Sequence, residues 1–140
     1  MTYASELNSK TNNDNVEFLA YFKDGENRVD SIEQNISNDD VRLYAEIKVK
    51  NEGYLKEDTI IELENSNFNL KNEILESNKD IIKNIQGNKV TLRQIGNEET
   101  VEIELGIEPV ITENITTDFL SKTSTVKING TYIYSQEETG

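Results

Sequence analysis

Val41-Arg42-Leu43-Tyr44-Ala45-Glu46-Ile47-Lys48-Val49-Lys50-Asn51-Glu52-Gly53 is the stretch on which the reading of this chain turns. In an extended backbone Val41, Leu43, Ala45, Ile47 and Val49 fall on one face, and Arg42, Tyr44, Glu46, Lys48 and Lys50 on the other. Successive side chains of a strand point to opposite faces, so this period of two describes a strand with one face buried and one in water. The run stops at Asn51-Glu52-Gly53, a turn signal. The asparagine amide can satisfy free backbone groups there, and glycine can take a positive φ.

The same pattern extends outward in both directions. Val16, Phe18, Ala20 and Phe22 share one face of a strand that ends at the turn Lys23-Asp24-Gly25-Glu26-Asn27, and residues 28–36 read as a second, short strand. Thr59 to Glu64 is a strand with Ile61 and Leu63 facing in, and Phe68 and Leu70 continue into the core. Residues 92–105 read as two strands joined at Gly96-Asn97, with Val101, Ile103 and Leu105 alternating with Glu102 and Glu104. Residues 72–88 allow a helix stopped by Gly87. The alternative is a strand from Ile81 to Ile85 turning at Gln86-Gly87-Asn88, and the three isoleucines favour it because β-branched side chains suit a strand. Residues 116–120 read as a turn or short helical loop. Residues 122–134 form a final strand broken at Asn129-Gly130, where a bulge is expected.

These elements predict an all-β chain, an immunoglobulin-like β-sandwich of seven to nine strands. The polar residues 1–14 read as a flexible tail or linker, residues 15–136 as a single domain and residues 137–140 as a second tail. The chain is read as a piece of a longer polypeptide.

Composition narrows the function. The 140 residues carry 27 acidic and 14 basic side chains, a formal net charge of −13. Such a surface repels phosphate backbones and anionic lipid heads, which argues against nucleic acid or a membrane as partner. The hydrophobic fraction of 34% implies a thin core and a large surface, as two packed sheets provide. With no histidine and no cysteine, the commonest general base, the thiol nucleophile and most zinc sites are missing. Glu102 and Glu104 alternate with core residues and so belong to a solvated face rather than a cleft. The reading is therefore not an enzyme, with a small hydrolase kept only as a remote alternative. No cofactor is expected. Calcium is the one candidate ion, because Asp24, Glu26 and Asp30 lie around one turn and hard cations take oxygen ligands from loops. A second acidic loop is Asn38-Asp39-Asp40.

There is no tryptophan to form a carbohydrate platform, which leaves tyrosines. Tyr44 lies on the outward face of its strand, and Tyr132 and Tyr134 share a face near the C-terminus. These three are the candidate ligand-binding residues, set against the plainer reading that they fill a sheet interface with their hydroxyls in water. An internal Lys–Asn or Lys–Asp amide bond is not expected, since Lys48, Lys50 and Lys127 alternate opposite the apolar face. Asn35-Ile36-Ser37, Asn114-Ile115-Thr116 and Asn129-Gly130-Thr131 fit the glycosylation acceptor only as a pattern.

Val49-Lys50-Asn51-Glu52-Gly53 followed by Thr59-Ile60-Ile61-Glu62-Leu63, and then Gln94-Ile95-Gly96-Asn97-Glu98-Glu99-Thr100-Val101-Glu102-Ile103, resembles the immunoglobulin-like repeat modules of bacterial surface proteins, the group that includes DUF11-type and CARDB-type domains. The resemblance covers roughly residues 41–108 by motif. It implies an extracellular, non-catalytic module of a cell-surface, cell-wall or secreted protein, set among neighbouring domains of the same polypeptide as a stalk or adhesive segment. The alternative is an adhesin head for a glycan or an extracellular matrix protein. One departure is that the family's second turn often reads Pro-Gly-Glu, where this chain has Gly96-Asn97-Glu98.

Overall fold

A computed structural model describes residues 2–35, 41–110 and 119–134. Its strands are β1 (Thr2–Thr11), β2 (Val16–Asp24), β3 (Asn27–Val29), β4 (Ser31–Asn35), β5 (Arg42–Val49), β6 (Gly53–Leu55), β7 (Thr59–Glu64), β8 (Phe68–Leu70), β9 (Ile82–Gln86), β10 (Lys89–Leu92), β11 (Thr100–Pro109), β12 (Phe119–Asn129) and β13 (Tyr132–Tyr134). That is thirteen strands among the described residues, where the sequence predicts seven to nine. β3, β6, β8 and β13 span three residues each, too few for a period of two to register.

One sheet has six strands in the order β4-β1-β12-β7-β10-β9, the other five in the order β3-β2-β5-β11-β8, and β13 with β6 forms a separate two-stranded ribbon. The two large sheets pack face to face as an all-β, immunoglobulin-like sandwich. β5 supplies Leu43, Ala45, Ile47 and Val49 to the interior, all at 0% exposure. They meet Phe22 from β2, Ile103 from β11, Ile61 from β7, Val90 from β10 and Ile128 from β12 in one apolar cluster. Each fully buried Leu, Ile or Val contributes about 1.5–3 kcal/mol relative to exposure. The alternation read in residues 41–50 is therefore the register that builds the core.

The segment read as a flexible tail over 1–14 is corrected. Thr2–Thr11 is a ten-residue strand, parallel to β12 from Thr2↔Phe119 to Thr11↔Ile128 and antiparallel to β4 on its other side. Its composition is polar partly because two of its inward positions, Ser5 and Ser9, are hydrogen-bonded hydroxyls. The Ser5 hydroxyl donates to Asn67 Oδ1, Asn67 Nδ2 donates to the Ala4 carbonyl at 2.9 Å, and the Ala20 amide donates to Ser9 Oγ at 2.8 Å. Leu7 is the apolar residue that β1 adds to the core among its described side chains. Buried polar groups with partners are tolerated, and composition alone cannot reveal such partners.

The hairpin over 81–95 is present as β9–β10, with Gly87 at φ 59 and Asn88 at φ 63. Positive φ at both central residues is the type I′ arrangement that matches strand twist. The loop before it holds a short 3₁₀ turn, Glu76–Asn78, whose Asn78 is buried. Asn78 Nδ2 donates to the Glu104 carbonyl and its Oδ1 accepts from the Glu104 amide at 3.1 Å, so a side-chain amide stands in for a missing strand partner of β11. The stretch read as one short strand over 28–36 splits. β3 pairs with β2 and β4 with β1, in different sheets. The expected break at Asn129-Gly130 is real but is not a bulge, because β13 leaves β12's sheet to pair with β6. Residues 116–118, the 38–40 loop, Asn114 and residues 137–140 lie outside the described residues.

The two decisive sequence stretches meet, though not as read. β10 and β11 do not pair, since the Gly96-Asn97 turn carries the chain from one sheet to the other. Asn97 Oδ1 accepts from the Gly53 amide at 3.3 Å, and the Val49 amide donates to the Glu99 carbonyl at 3.1 Å. The turn is braced by Glu99, which accepts from the Gly96 amide at 2.8 Å and from Arg93 at 2.9 Å. These two bonds hold the Glu99 carboxyl below the usual carboxylate range, Arg93 being the larger cause. The positive φ in Asn51-Glu52-Gly53 falls on Asn51, at 62°, rather than on Gly53. Gly53 is needed for another reason: a Cβ there would stand 2.2 Å from Cζ of the Tyr132 ring.

Two outcomes follow from this arrangement. Deleting residues 1–11 removes a strand hydrogen-bonded on both sides, so the thermal transition is expected to drop sharply or vanish; an unchanged melting temperature would restore the tail reading. Gly53→Ala is expected to cost about 1–3 kcal/mol by overpacking. Tyr132→Ala in the same chain should recover part of that loss in a denaturant-melt double-mutant cycle, and strict additivity would refute the contact.

Candidate functional site

The outward face of the five-stranded sheet carries the densest grouping of functional side chains among the described residues. Strand pairing sets Tyr21, Tyr44 and Glu104 in one row across β2, β5 and β11, and Leu19, Glu46 and Glu102 in the next. The Tyr21 and Tyr44 rings stack at 5.8 Å with planes 7° apart. Lys23 Nζ lies 4.1 Å from the Tyr44 ring centre, and the Arg28 guanidinium, brought in by the short strand β3, lies 4.2 Å from that of Tyr21. A cation over an aromatic face is held by the ring quadrupole.

Carboxylates complete the network. The Tyr21 hydroxyl donates to Glu102 and the Tyr44 hydroxyl to Glu104 at 3.2 Å. Arg28 pairs with Glu46 at 2.7 Å and Glu102 at 3.5 Å, Lys23 with Glu102 at 3.4 Å, and Arg42 with Glu104 at 3.8 Å. Tyr21, although it points away from the core, is 2% exposed under this cover. Burial first, and then the Glu102 carboxylate, raise the Tyr21 phenol far above its ordinary range, and burial followed by Glu104 raises Tyr44. Burial pushes the Glu102 carboxyl up, but Tyr21, Lys23 and Arg28 outweigh it and hold the group lowered.

Chemically this face is saturated. Both phenols stay protonated at neutral pH, Glu46, Glu102 and Glu104 each face a cation, and both rings already carry a cation of their own chain. The arrangement links β2, β5 and β11 through side-chain contacts, and it presents neither a poised acid–base pair nor a bare aromatic platform.

The other sequence-predicted residues lie elsewhere. Tyr132 and Tyr134 are on β13, whose partner is β6 and not β5, so Tyr44 does not join them. Tyr132 rests on Gly53 with its hydroxyl buried and without a hydrogen-bond partner among the described residues, while Tyr134 is 56% exposed. Asp24 and Glu26 flank Gly25 in the β2–β3 turn, which the Asp24↔Asn27 pair closes. Asp30 follows β3, and its carbonyl accepts from the Leu7 amide at 2.8 Å. Among the described residues no three acidic side chains converge as metal ligands. Sequence reading missed the roles of Lys23, Arg28 and Glu102. The available signal was Tyr21, which the alternation of Val16, Phe18, Ala20 and Phe22 already places on the outer face beside Tyr44.

No family model, curated protein or solved structure matches the chain.

The raised tyrosine pKa has a definite sign. An unfolded phenol ionises near pH 10 and the folded one above that. The native state therefore holds the proton longer, and its stabilising effect is complete below about pH 10 and lost as pH rises through the folded value. Tyr21→Phe is expected to cost about 1–2 kcal/mol at neutral pH through the lost bond to a charged acceptor. It should also flatten the fall of melting temperature between about pH 9.5 and 11 relative to the parent chain. Parallel curves for the two proteins would show that Tyr21 is not the group responsible.

Proposed function

We propose that this chain is a non-catalytic module of a bacterial surface or secreted protein, working as a spacer that passes the polypeptide from one neighbouring domain to the next. The observation that carries this reading is the parallel pairing of β1 with β12. The chain enters β1 at the pole where Phe119 opens β12, and it leaves β12 at the opposite pole, where Thr11 lies beside Ile128. β13 stays at that exit pole, held against β6. Entry and exit at opposite poles suit head-to-tail stacking, because each added copy extends the array by a whole sandwich length.

The saturated outer face supports the same reading over an adhesive head. A head built on Tyr44 needs a ring face free for a glycan or a protein, and Lys23 and Tyr21 already occupy that ring. The extracellular setting is carried by the resemblance of residues 41–108 to surface-protein repeats and by the strongly acidic surface, which keeps adjacent modules soluble and mutually repelling.

Solution scattering from one, two and three linked copies tests the spacer. The maximum dimension is expected to grow by about 35 Å per copy, the reach of an eleven-residue strand at roughly 3.3 Å per residue. A compact array that folds back on itself would overturn the spacer, and saturable binding to glycans or matrix proteins that Tyr134→Ala abolishes would install the head in its place.

A further inference from the structure

Resting on that spacer reading, we infer that the β1–β12 ladder is a mechanical clamp, the element that bears load when the chain is drawn taut between neighbouring domains. β1 and β12 run parallel over ten register pairs, Thr2↔Phe119 to Thr11↔Ile128. Tension pulls β1 toward the pole where it begins and pulls β12, through β13, toward the pole where it ends. Adjacent strands are thus driven past each other along their own axes. In that geometry every ladder bond is strained at once. Force applied at one end of a ladder opens the bonds one by one instead.

The bonding of β1 suits this duty. A strand held by apolar burial yields gradually, whereas hydrogen bonds weaken steeply with small losses of distance and angle. Among its described side chains β1 contributes Leu7 to the apolar cluster, while Ser5 and Ser9 are held by directional contacts. Its backbone is bonded to β12 along its length, to β4 from Thr2 to Glu6, and to Asp30 through the Leu7 amide at 2.8 Å. Side chains lock it against sliding. Asn67 grips Ala4 and Ser5 near its start, and Ser9 Oγ takes the Ala20 amide of the opposite sheet at 2.8 Å. At its end Asn12 brackets Gly130, donating to its carbonyl at 3.1 Å and accepting from its amide at 3.3 Å. β12 is anchored on its far side by β7 from Thr125 to Asn129. The loaded pair is flanked on both sides for half its length each, β1 by β4 at its start and β12 by β7 at its end, so each pole of the ladder has one strand held on its far side. The three-pair β13–β6 ribbon lies outside this lock and is shed first.

The test is single-molecule force spectroscopy along two axes. The chain has no cysteine, so an introduced one defines an attachment point uniquely. One axis uses handles at the two chain ends. The other uses the N-terminal handle and Ser121→Cys, an exposed position opposite Ala4 that loads the ladder from one pole. Rupture force at matched loading rate is expected to be several-fold higher along the first axis. Equal forces along both axes overturn the clamp.

A second variant probes the ladder itself. The Asn12 amide bonds to Ile128 while the Leu7 amide bonds to Asp30, so alternation aims the Lys10 amide at β12. Lys10→Pro removes that donor from an exposed position and is expected to lower the end-to-end force while leaving the one-pole force nearly unchanged. An equal drop along both axes would signal general destabilisation and count against the clamp. The two readings fail separately. Equal rupture forces with an extended tandem array sink the clamp and keep the spacer, whereas a folded-back array sinks the spacer whatever the forces.

Discussion

Burial of every second residue of β5 is the constraint on which the rest of the sandwich depends. β5 lies between β2 and β11, and its inward side chains are fully excluded from water. A one-residue slip against either neighbour would carry Leu43, Ile47 and Val49 to the solvent face and bring Tyr44, Glu46 and Lys48 into the core. Fixing that register fixes β2 and β11. Their outward residues then fall into the rows from which the tyrosine–carboxylate network is assembled. The same register delivers Val49 and Gly53 to the pole where Asn97 and Tyr132 close over them.

Polar side chains do much of the work that apolar ones do in larger cores. Ser5, Asn67 and Ser124 are buried between β1, β12 and the loop after β7, and each is hydrogen-bonded, Ser124 to Ser66 at 2.8 Å. Asn78 replaces a strand partner of β11. Asn51, Asn65 and Asn88 take positive φ where glycine would otherwise be needed. Asparagine can do all three because its amide resembles a peptide group and its short side chain tolerates the left-handed region. This accounts for an asparagine-rich chain with a hydrophobic fraction of 34% that still folds around an apolar centre.

The outer face and the chain path bear on function in the same direction. On the outer face the rings, cations and carboxylates are already partnered within the chain. In the proposed spacer, a chain that enters at one pole and leaves at the other would pass position and tension along the array. Side-chain linkage across the sheet and continuity along the strands are what a spacer requires.

Strand placement in the middle of the chain was legible from residues alone. Residues 41–50, 59–64 and 101–105 bury one face against a partner sheet, and that leaves a period of two in the sequence. The β9–β10 turn was legible because Gly87-Asn88 supplies its dihedrals locally. The outward position of Tyr44 was legible for the same reason of alternation. Tertiary structure alone decided the rest. Thr2–Thr11 became a strand because its serines find partners in Asn67 and Ala20, residues distant in sequence. Gly53 is required by the ring of Tyr132, and Tyr21 is buried by an arginine from a three-residue strand. Local periodicity encodes which face of a segment is apolar. Hydrogen-bond partners and the direction in which distant strands pair are properties of the assembled sheets, and the parallel union of β1 with β12 is of that kind.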